Sequence, residues 1–192
     1  MKTDLKHSLF LLLTLTVVTG VLYPLAITIV AQVVFPKQAG GSFLVEEGRV
    51  VGSKLIGQNF DDPHDLWGRL SATTPSYNAA ASSGSNLGPS NPLLLDQAKS
   101  RIDALKKLDP ENHRPLPIDL VTASASGLDP HVSPAAAEYQ VSRIARINGI
   151  SEASVRHIIQ NHTEDRFLGM LGEPRVNVLE VNLDLRRLYG IK

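Results

Sequence analysis

The chain has 192 residues, with 19 basic and 19 acidic side chains, six histidines and no cysteine. This balance gives no overall positive charge for binding nucleic acid, and the lack of thiols excludes disulfides and cysteine-ligated zinc. The length allows one folded domain with an additional segment, or a single larger domain.

The first segment is a long uncharged run. No charged residue occurs between Ser8 and Pro36, and most side chains there are Leu, Val, Ile and Thr. A helix of about 20 apolar residues crosses the hydrocarbon core of a bilayer. The run exceeds the apolar region of a cleaved signal peptide, which has about 7–15 residues, and a buried core helix of this length would be rarer still. We therefore predict a transmembrane helix over residues 8–35.

A proline lies near the middle of this helix. Pro24 removes the backbone hydrogen bond to Gly20 and favours a kink there. Neighbouring helices can satisfy the carbonyl that the proline frees. Tyr23 and Pro24 are therefore candidate contacts with protein partners in the membrane, although a lone anchor also tolerates such a proline.

The lysines around the run predict its orientation. Lys2 and Lys6 precede it, whereas Lys37 is the nearby positive charge on the other side. Because cytoplasmic flanks carry the excess of Lys and Arg, we expect a cytoplasmic N-terminus and an extracytoplasmic remainder. No second long apolar run occurs, so the sequence predicts a single-pass protein.

Residues 40–192 are predicted to form one soluble α+β domain. Helices and strands mix there without strict alternation, which favours α+β over a doubly wound parallel sheet. A β-hairpin is expected first, with strands Phe43–Glu46 and Arg49–Val51 around a turn at Glu47 and Gly48.

A long polar stretch follows the hairpin. Residues 59–91 are rich in Ser, Asn, Gly and Pro, and loops of this length are often functional or ordered by a partner. Trp67 gives the stretch a large side chain to bury, which argues against pure disorder. Ser83 and Asn86 are candidate interface residues within it.

Capping signals mark the helices. Asn91-Pro92 and Ser133-Pro134 each place a capping side chain before a proline, and Ser151 begins another helix. A short amphipathic helix capped by Asn182 ends the chain. The inward-facing positions expected on the first of these helices are Leu95, Ala98, Ile102 and Leu105. The strands expected in this half are Leu116–Thr122 and Val176–Val181.

The stretch VTASASGLDPHVSP, residues 121–134, invites a catalytic interpretation. Its S-A-S-G run is not the G-x-S-x-G turn of serine hydrolases, and the chain has no phosphate-binding glycine loop. His157 and His162 are five residues apart, a spacing that does not put both on one helix face as metal ligands. A capped turn or a contact surface is the better interpretation. Its candidate interface residues are Ser124, Ser126 and Asp129.

Several blocks together resemble one family. YPLAITIVAQVVFPKQAGGS, GSKLIGQNF, RLSATTPSYN, SSGSNLGPSNP, VTASASGLDPHVSPAAA and PRVNVLEVNLDL occur in this order between Tyr23 and Leu185. They closely resemble the C subunit of the bacterial Kdp potassium-transporting ATPase. The resemblance covers nearly the whole chain and includes the single N-terminal membrane helix.

The resemblance implies an accessory subunit of an ATP-driven potassium importer in the cell inner membrane. Its expected partners are a channel-like potassium-binding subunit, a P-type ATPase subunit and a small membrane subunit. ATP and potassium would be handled by the complex, and this chain would hold no cofactor, metal or catalytic residue itself. The family subunit is described as a catalytic chaperone that raises the ATP affinity of the ATPase subunit.

That description conflicts with an extracytoplasmic domain, which cannot reach cytoplasmic ATP. A domain that caps the outer mouth of the channel-like subunit fits the predicted orientation better. Two other classes remain open at this point, namely a membrane-anchored extracytoplasmic hydrolase and an anchored binding module with no role in transport.

Overall fold

The computed structural model describes residues 2–189, and the side chains of residues 3–188. The chain divides into two units, the first ending at Ser53 and the second beginning at Lys54. The β-hairpin belongs to the first unit, and most of the predicted α+β domain forms the second. Residues 190–192, which complete the predicted C-terminal helix, lie outside the described residues.

The first unit begins with a helix of 32 residues, Thr3–Val34, that is long and apolar enough to cross a membrane. It runs through α1 (Lys2–Val17), which starts one residue earlier, a π-helical turn (Val18–Leu22) and α2 (Tyr23–Val34). At 1.5 Å per residue the helix measures about 48 Å, against about 30 Å for the hydrocarbon core. Its large apolar side chains are exposed, as a lipid-facing helix requires.

The irregularity expected at Pro24 takes the form of the π-helical turn. The Tyr23 N–H donates to the Val18 carbonyl five residues earlier instead of four. On the other side, the Thr28 hydroxyl donates to the Pro24 carbonyl at 2.7 Å. Both of these bonds are made within the helix itself.

A helical turn, α3 (Pro36–Ala39), leads to the hairpin of β1 (Phe43–Glu46) and β2 (Arg49–Ser53). This confirms the predicted hairpin. Glu47 and Gly48 both have positive φ, 48° and 77°, as a two-residue turn between right-twisted strands requires.

The second unit contains five helices and three short strands among the described residues. Three helices begin at the predicted caps: the Asn91 side chain accepts from Leu93 N, the Ser133 side chain from Ala136 N, and the Ser151 side chain from Ser154 N. The helix after Ser133 ends at Gly149, whose φ of 70° is left-handed. The elements in chain order are α4 (Pro92–Leu108), α5 (Ile118–Val121), β3 (His131–Val132), α6 (Pro134–Asn148), α7 (Glu152–Asn161), β4 (Thr163–Glu164), β5 (Arg175–Asn177) and α8 (Val178–Tyr189).

The core lies between α6, α7, α8 and a small antiparallel sheet. Strand β5 is central in that sheet, with Val176 opposite both Val132 and Thr163. Helix α7 packs against α6 and α8, and its Val155, Ile158 and Ile159 are buried. The observed class is therefore α+β, in agreement with the sequence.

The predicted strand Leu116–Thr122 is wrong. Pro117 begins a single helical turn, α5, in which the Leu120 N–H donates to the Pro117 carbonyl at 3.1 Å. Leu120 and Val121 are both buried, and this adjacent pair replaces the alternate burial expected of a strand. The Asp119 carboxylate accepts from Ser133 N at 2.7 Å and fixes the turn to the start of α6.

The predicted strand Val176–Val181 is correct only at its beginning. Strand β5 ends at Asn177, whose side chain accepts from Glu180 N at 3.1 Å and so caps α8. The predicted cap, Asn182, lies inside α8 and is fully buried. Val178, Leu179 and Val181 are all buried, and a short apolar run of this kind cannot be assigned to a strand or a helix from its pattern alone, which explains the error.

On α4 the buried face is shorter than predicted. Leu105 is buried and Ala98 and Ile102 are partly buried, but Leu95 is 57% exposed. The first turn of this helix therefore projects apolar side chains into solvent.

Candidate interface sites

Two irregular segments of the second unit meet along their backbones. We call residues 69–84 and 121–134 the loop pair. Leu70 and Ala123 form a parallel bridge, and the Ser124 N–H donates to the Leu70 carbonyl at 3.0 Å. Further along, the Ser126 carbonyl accepts from Ser83 N at 2.9 Å. The stretch that first suggested a catalytic loop is thus one side of a backbone-paired structure.

The pairing requires glycine at two close approaches. A Cβ on Gly127 would lie 2.6 Å from Thr73 Cγ2 and 2.7 Å from the Ser83 carbonyl oxygen, and the φ of Gly127 is +69°. A Cβ on Gly84 would lie 2.7 Å from the Ala125 carbonyl oxygen. Real Cβ atoms do not approach other atoms so closely, so both positions require a hydrogen in place of a side chain.

Hydroxyl side chains complete the turns of the loop pair. The Ser71 hydroxyl donates to the Gly127 carbonyl at 2.7 Å, and the Ser126 side chain accepts from Leu128 N at 3.1 Å. The Tyr77 hydroxyl donates to the Arg69 carbonyl at 2.7 Å. Burial raises the pKa of Tyr77 to about 12, so this hydroxyl keeps its proton. The interpretation of residues 121–134 as a capped turn is confirmed.

Asp129 joins the two sides of the loop pair. Its carboxylate accepts from Arg69 Nη1 at 3.2 Å and from His131 N at 3.0 Å. Burial alone would raise the pKa of Asp129, but the hydrogen bonds from His131 and the charge of Arg69 outweigh burial and lower it. The carboxylate is therefore ionised at neutral pH and holds both loops.

A cavity of about 460 Å³ lies beside this ion pair. Arg69 Nε and His131 Nε2 are buried and have no hydrogen-bond partner among the described residues. The wall of the cavity carries the charges of Arg69, Asp119, Asp129, Glu173 and Arg175, together with the ring of His131. A cavity of this kind suits a polar occupant.

The structure brings only some of the predicted interface residues together. Ser83 and Ser126 are exposed and hydrogen-bonded through their backbones, and Asp129 lies further along the same loop pair. Asn86 is exposed on the continuation of the first segment. Ser124 is buried, at 3% exposure, so its side chain is not available to a partner. Tyr23 and Pro24 lie in the first unit, where Tyr23 is exposed.

Sequence reasoning missed a set of buried polar side chains that hold residues 60–69, which we call the clamped segment. Asn182 accepts from Leu66 N at 2.7 Å and donates to the Leu66 carbonyl at 2.9 Å. Gln140 does the same for Trp67, at 2.9 and 3.1 Å. Each amide side chain therefore binds both the N–H and the carbonyl of one residue, as the backbone of a neighbouring strand would.

Arginines complete the clamp. Arg143 is 2% exposed and donates to the carbonyls of Pro63 and Asp65. Arg101 donates to the Gly68 carbonyl at 2.8 Å and stacks 4.4 Å from the Trp67 ring. One feature of the sequence could have revealed the clamp. Gln140 and Arg143 lie on the apolar face of α6, and buried polar side chains need hydrogen-bond partners.

These features define a class of protein: one helix fit to cross a membrane, followed by an α+β unit whose irregular segments are fixed by internal hydrogen bonds. The family model of the K+-transporting ATPase c chain, KdpC, matches residues 5–187 and so includes both parts.

Curated relatives agree with this match. A potassium-transporting ATPase KdpC subunit of Sorangium cellulosum is 59% identical over 186 residues, covering 96% of this chain and 98% of the relative. Proteins with the same name from Polaromonas naphthalenivorans and Herpetosiphon aurantiacus are 58% and 54% identical over 192 residues, covering all of this chain and 98% and 100% of the relatives. The chain belongs to the KdpC family.

Proposed function

We propose that the chain is a non-catalytic accessory subunit of an ATP-driven potassium import complex, required for its assembly and activity. The observation that carries the proposal is the family match over residues 5–187, which includes the apolar helix as well as the folded unit. A subunit of a membrane pump needs both, one part within the membrane and one part beside it.

The proposed location is the cell inner membrane, with the N-terminus in the cytoplasm and the second unit outside. Lys2 and Lys6 before the helix, against Lys37 after it, support this orientation. The proposed partners are the channel-like potassium-binding subunit, the P-type ATPase subunit and the small membrane subunit of the complex.

From this position the second unit acts without touching ATP. The loop pair provides a rigid surface and no nucleotide-binding loop, and the buried Ser124 is unsuited to be a nucleophile. We infer that the unit caps the outer side of the channel-like subunit and stabilises it. Any increase in the ATP affinity of the ATPase subunit would then pass through contacts between subunits.

Expression of the other subunits with and without this chain tests the proposal. With the chain, we expect one complex in mild detergent and potassium-stimulated ATP hydrolysis. Without it, we expect the complex to dissociate or hydrolysis to fall at least tenfold, and plasmid-borne full-length chain to restore both. Undiminished transport and an intact complex without the chain would contradict an accessory role.

A further inference from the structure

The connection between β4 and β5 exposes apolar side chains at the tip of a tight turn. We call Phe167–Leu171 the apolar turn. Phe167, Leu168, Met170 and Leu171 are 69%, 74%, 76% and 62% exposed. Four large apolar side chains in five residues form a contiguous patch, and such patches on folded proteins mark sites of interaction. They contribute little to the core of their own domain.

The apolar turn is held in one shape by its backbone. Phe167 and Leu171 exchange two hydrogen bonds, of 2.8 and 3.0 Å, and Gly169 N donates to the Arg166 carbonyl at 3.0 Å. Leu168 and Gly169 both adopt positive φ, 53° and 73°, which reverses the chain. The patch is therefore presented on a fixed support and loses little freedom on docking.

The base of the turn is held by ion pairs. Arg166 pairs with Glu173 at 2.7 Å across the turn, and Arg175 pairs with Glu164 at 2.8 Å. The hydrogen bonds from Arg175 are the main reason that the pKa of Glu164 is lowered, so this carboxylate stays ionised. Below the base, Val176 of β5 is fully buried, which fixes the turn to the core.

The charges at the base favour one kind of partner. Loops that enter bilayers combine apolar tips with Lys and Arg, which attract anionic lipids, and with Trp or Tyr at the interface. The apolar turn has no Trp, Tyr or Lys, and the charges at its base balance. Arg166 pairs with Glu173, and Glu164 pairs with both Arg175 and Lys54. A base without net positive charge does not attract anionic lipid, so an apolar recess with a polar rim of mixed charge on a protein complements it better than a lipid surface.

We propose that the apolar turn docks into an apolar recess, with a polar rim of mixed charge, on the extracytoplasmic surface of another subunit of the potassium-transporting ATPase. This inference rests on the proposed function and names the attachment point of the second unit. The turn supplies the buried centre of the interface, and the ion pairs at its base form the rim.

Site-specific photocross-linking in cells tests the proposal. Benzoyl-phenylalanine is placed at Leu168 or Met170 of the full chain, in the presence of all the other subunits. The control position is Glu111, which is exposed in an irregular segment. We expect adducts with another subunit at both turn positions, at least fivefold more abundant than at Glu111, that map to an extracytoplasmic segment.

Adducts with lipid alone, or a yield no higher than at Glu111, would overturn the docking proposal. Co-purification of the unsubstituted chain with the complex is measured in the same cells. If the unsubstituted chain fails to co-purify, the proposed function fails; if it co-purifies and the turn gives no subunit adduct, only the docking inference fails.

A charge-insertion pair gives an independent measurement. We expect Leu168→Asp with Met170→Asp to lower the fraction of the chain retained on the detergent-washed complex at least tenfold. Leu168→Met with Met170→Leu keeps the patch apolar and should retain the chain fully. Both variants should keep the wild-type unfolding midpoint, because the side chains are exposed. Full retention of the aspartate variant would contradict the proposal.

Discussion

The clamped segment and the apolar turn both lack helices and strands, but the first buries its apolar side chains and the second exposes them. The clamped segment is held by side chains of α4, α6 and α8, and it buries Leu66 and Trp67. The apolar turn is held by its own backbone and exposes its apolar side chains. One irregular segment therefore stabilises the unit, whereas the other is left free for a partner.

The difference shows which mutations should affect folding and which should affect assembly. Removing a side chain that pairs with the clamped segment leaves buried backbone groups without partners, which is costly. Removing an exposed side chain of the apolar turn leaves the core unchanged. Trp67 is the only tryptophan of the chain and lies in the clamped segment, so its fluorescence reports the unfolding of the second unit.

The largest expected effect comes from Asn182→Leu. The substitution leaves both the N–H and the carbonyl of Leu66 unpaired in the core. We expect the free energy of unfolding to fall by about 2–4 kcal/mol. Urea unfolding of the full chain in mild detergent, followed by Trp67 fluorescence, measures it.

The matched control is Asn161→Leu at the exposed end of α7, which should change the free energy by less than about 0.5 kcal/mol. Equal effects at the two positions would show that the amide of Asn182 does not hold the clamped segment.

The next largest effect is expected at Gly127. Gly127→Ala places a methyl group against Thr73 and the Ser83 carbonyl and keeps it in a left-handed conformation. Gly149→Ala has the same φ, 70° against 69°, with no heavy atom within 4 Å. Both variants therefore carry the same cost of holding alanine in a left-handed conformation. The additional loss in the free energy of unfolding of Gly127→Ala, about 1–3 kcal/mol, measures how closely the two segments of the loop pair approach each other. If both variants lose the same stability, the loop pair is looser than the structure shows.

A smaller effect is expected at Asp129 and depends on pH. Because the pKa of Asp129 is lower in the folded state than its ordinary value of 3.8, its stabilisation is complete above that value and is lost as pH falls through the folded pKa. Asp129→Asn should therefore cost about 1 kcal/mol at pH 7 and progressively less below pH 3.8. A stability difference that does not change between pH 7 and pH 3 is the contrary result.

The smallest effects are expected for the serines of residues 121–134. Ser126→Ala removes one hydrogen bond at an exposed turn, worth about 0.5 kcal/mol, and Ser124→Ala removes a buried hydroxyl. Neither should lower potassium-stimulated ATP turnover of the assembled complex more than twofold. Loss of transport with assembly preserved would reveal a role for these hydroxyls beyond shaping the loop.

Sequence patterns predicted the elements whose cause is local. The membrane helix follows from an uncharged run, the hairpin from Glu47-Gly48, and the starts of α4 and α6 from a capping residue followed by proline. The errors occur where contacts with residues distant in the sequence determine the secondary structure. Asn182 resembles a cap locally, but its amide pairs with Leu66, 116 residues away.

For the candidate sites, sequence alone predicted that residues 121–134 form a shaped turn. It could not show that their partner is residues 69–84, because backbone hydrogen bonds and single polar contacts such as Ser71 with Gly127 leave no repeating pattern in the sequence. The exposure of the apolar turn could not be predicted from sequence for a different reason. Its residues differ from core residues only in exposure, which a sequence does not record.

The central claim is that the second unit lies outside the membrane and acts without touching ATP. Ser83→Cys tests it directly, since Ser83 is exposed and the chain has no native cysteine. Cells with a permeabilised outer membrane are treated with a membrane-impermeant maleimide, with Thr3→Cys as the control before the membrane helix. We expect Ser83→Cys to be labelled at once and Thr3→Cys only after the inner membrane is opened. Labelling in the reverse order would place the second unit in the cytoplasm and contradict the account.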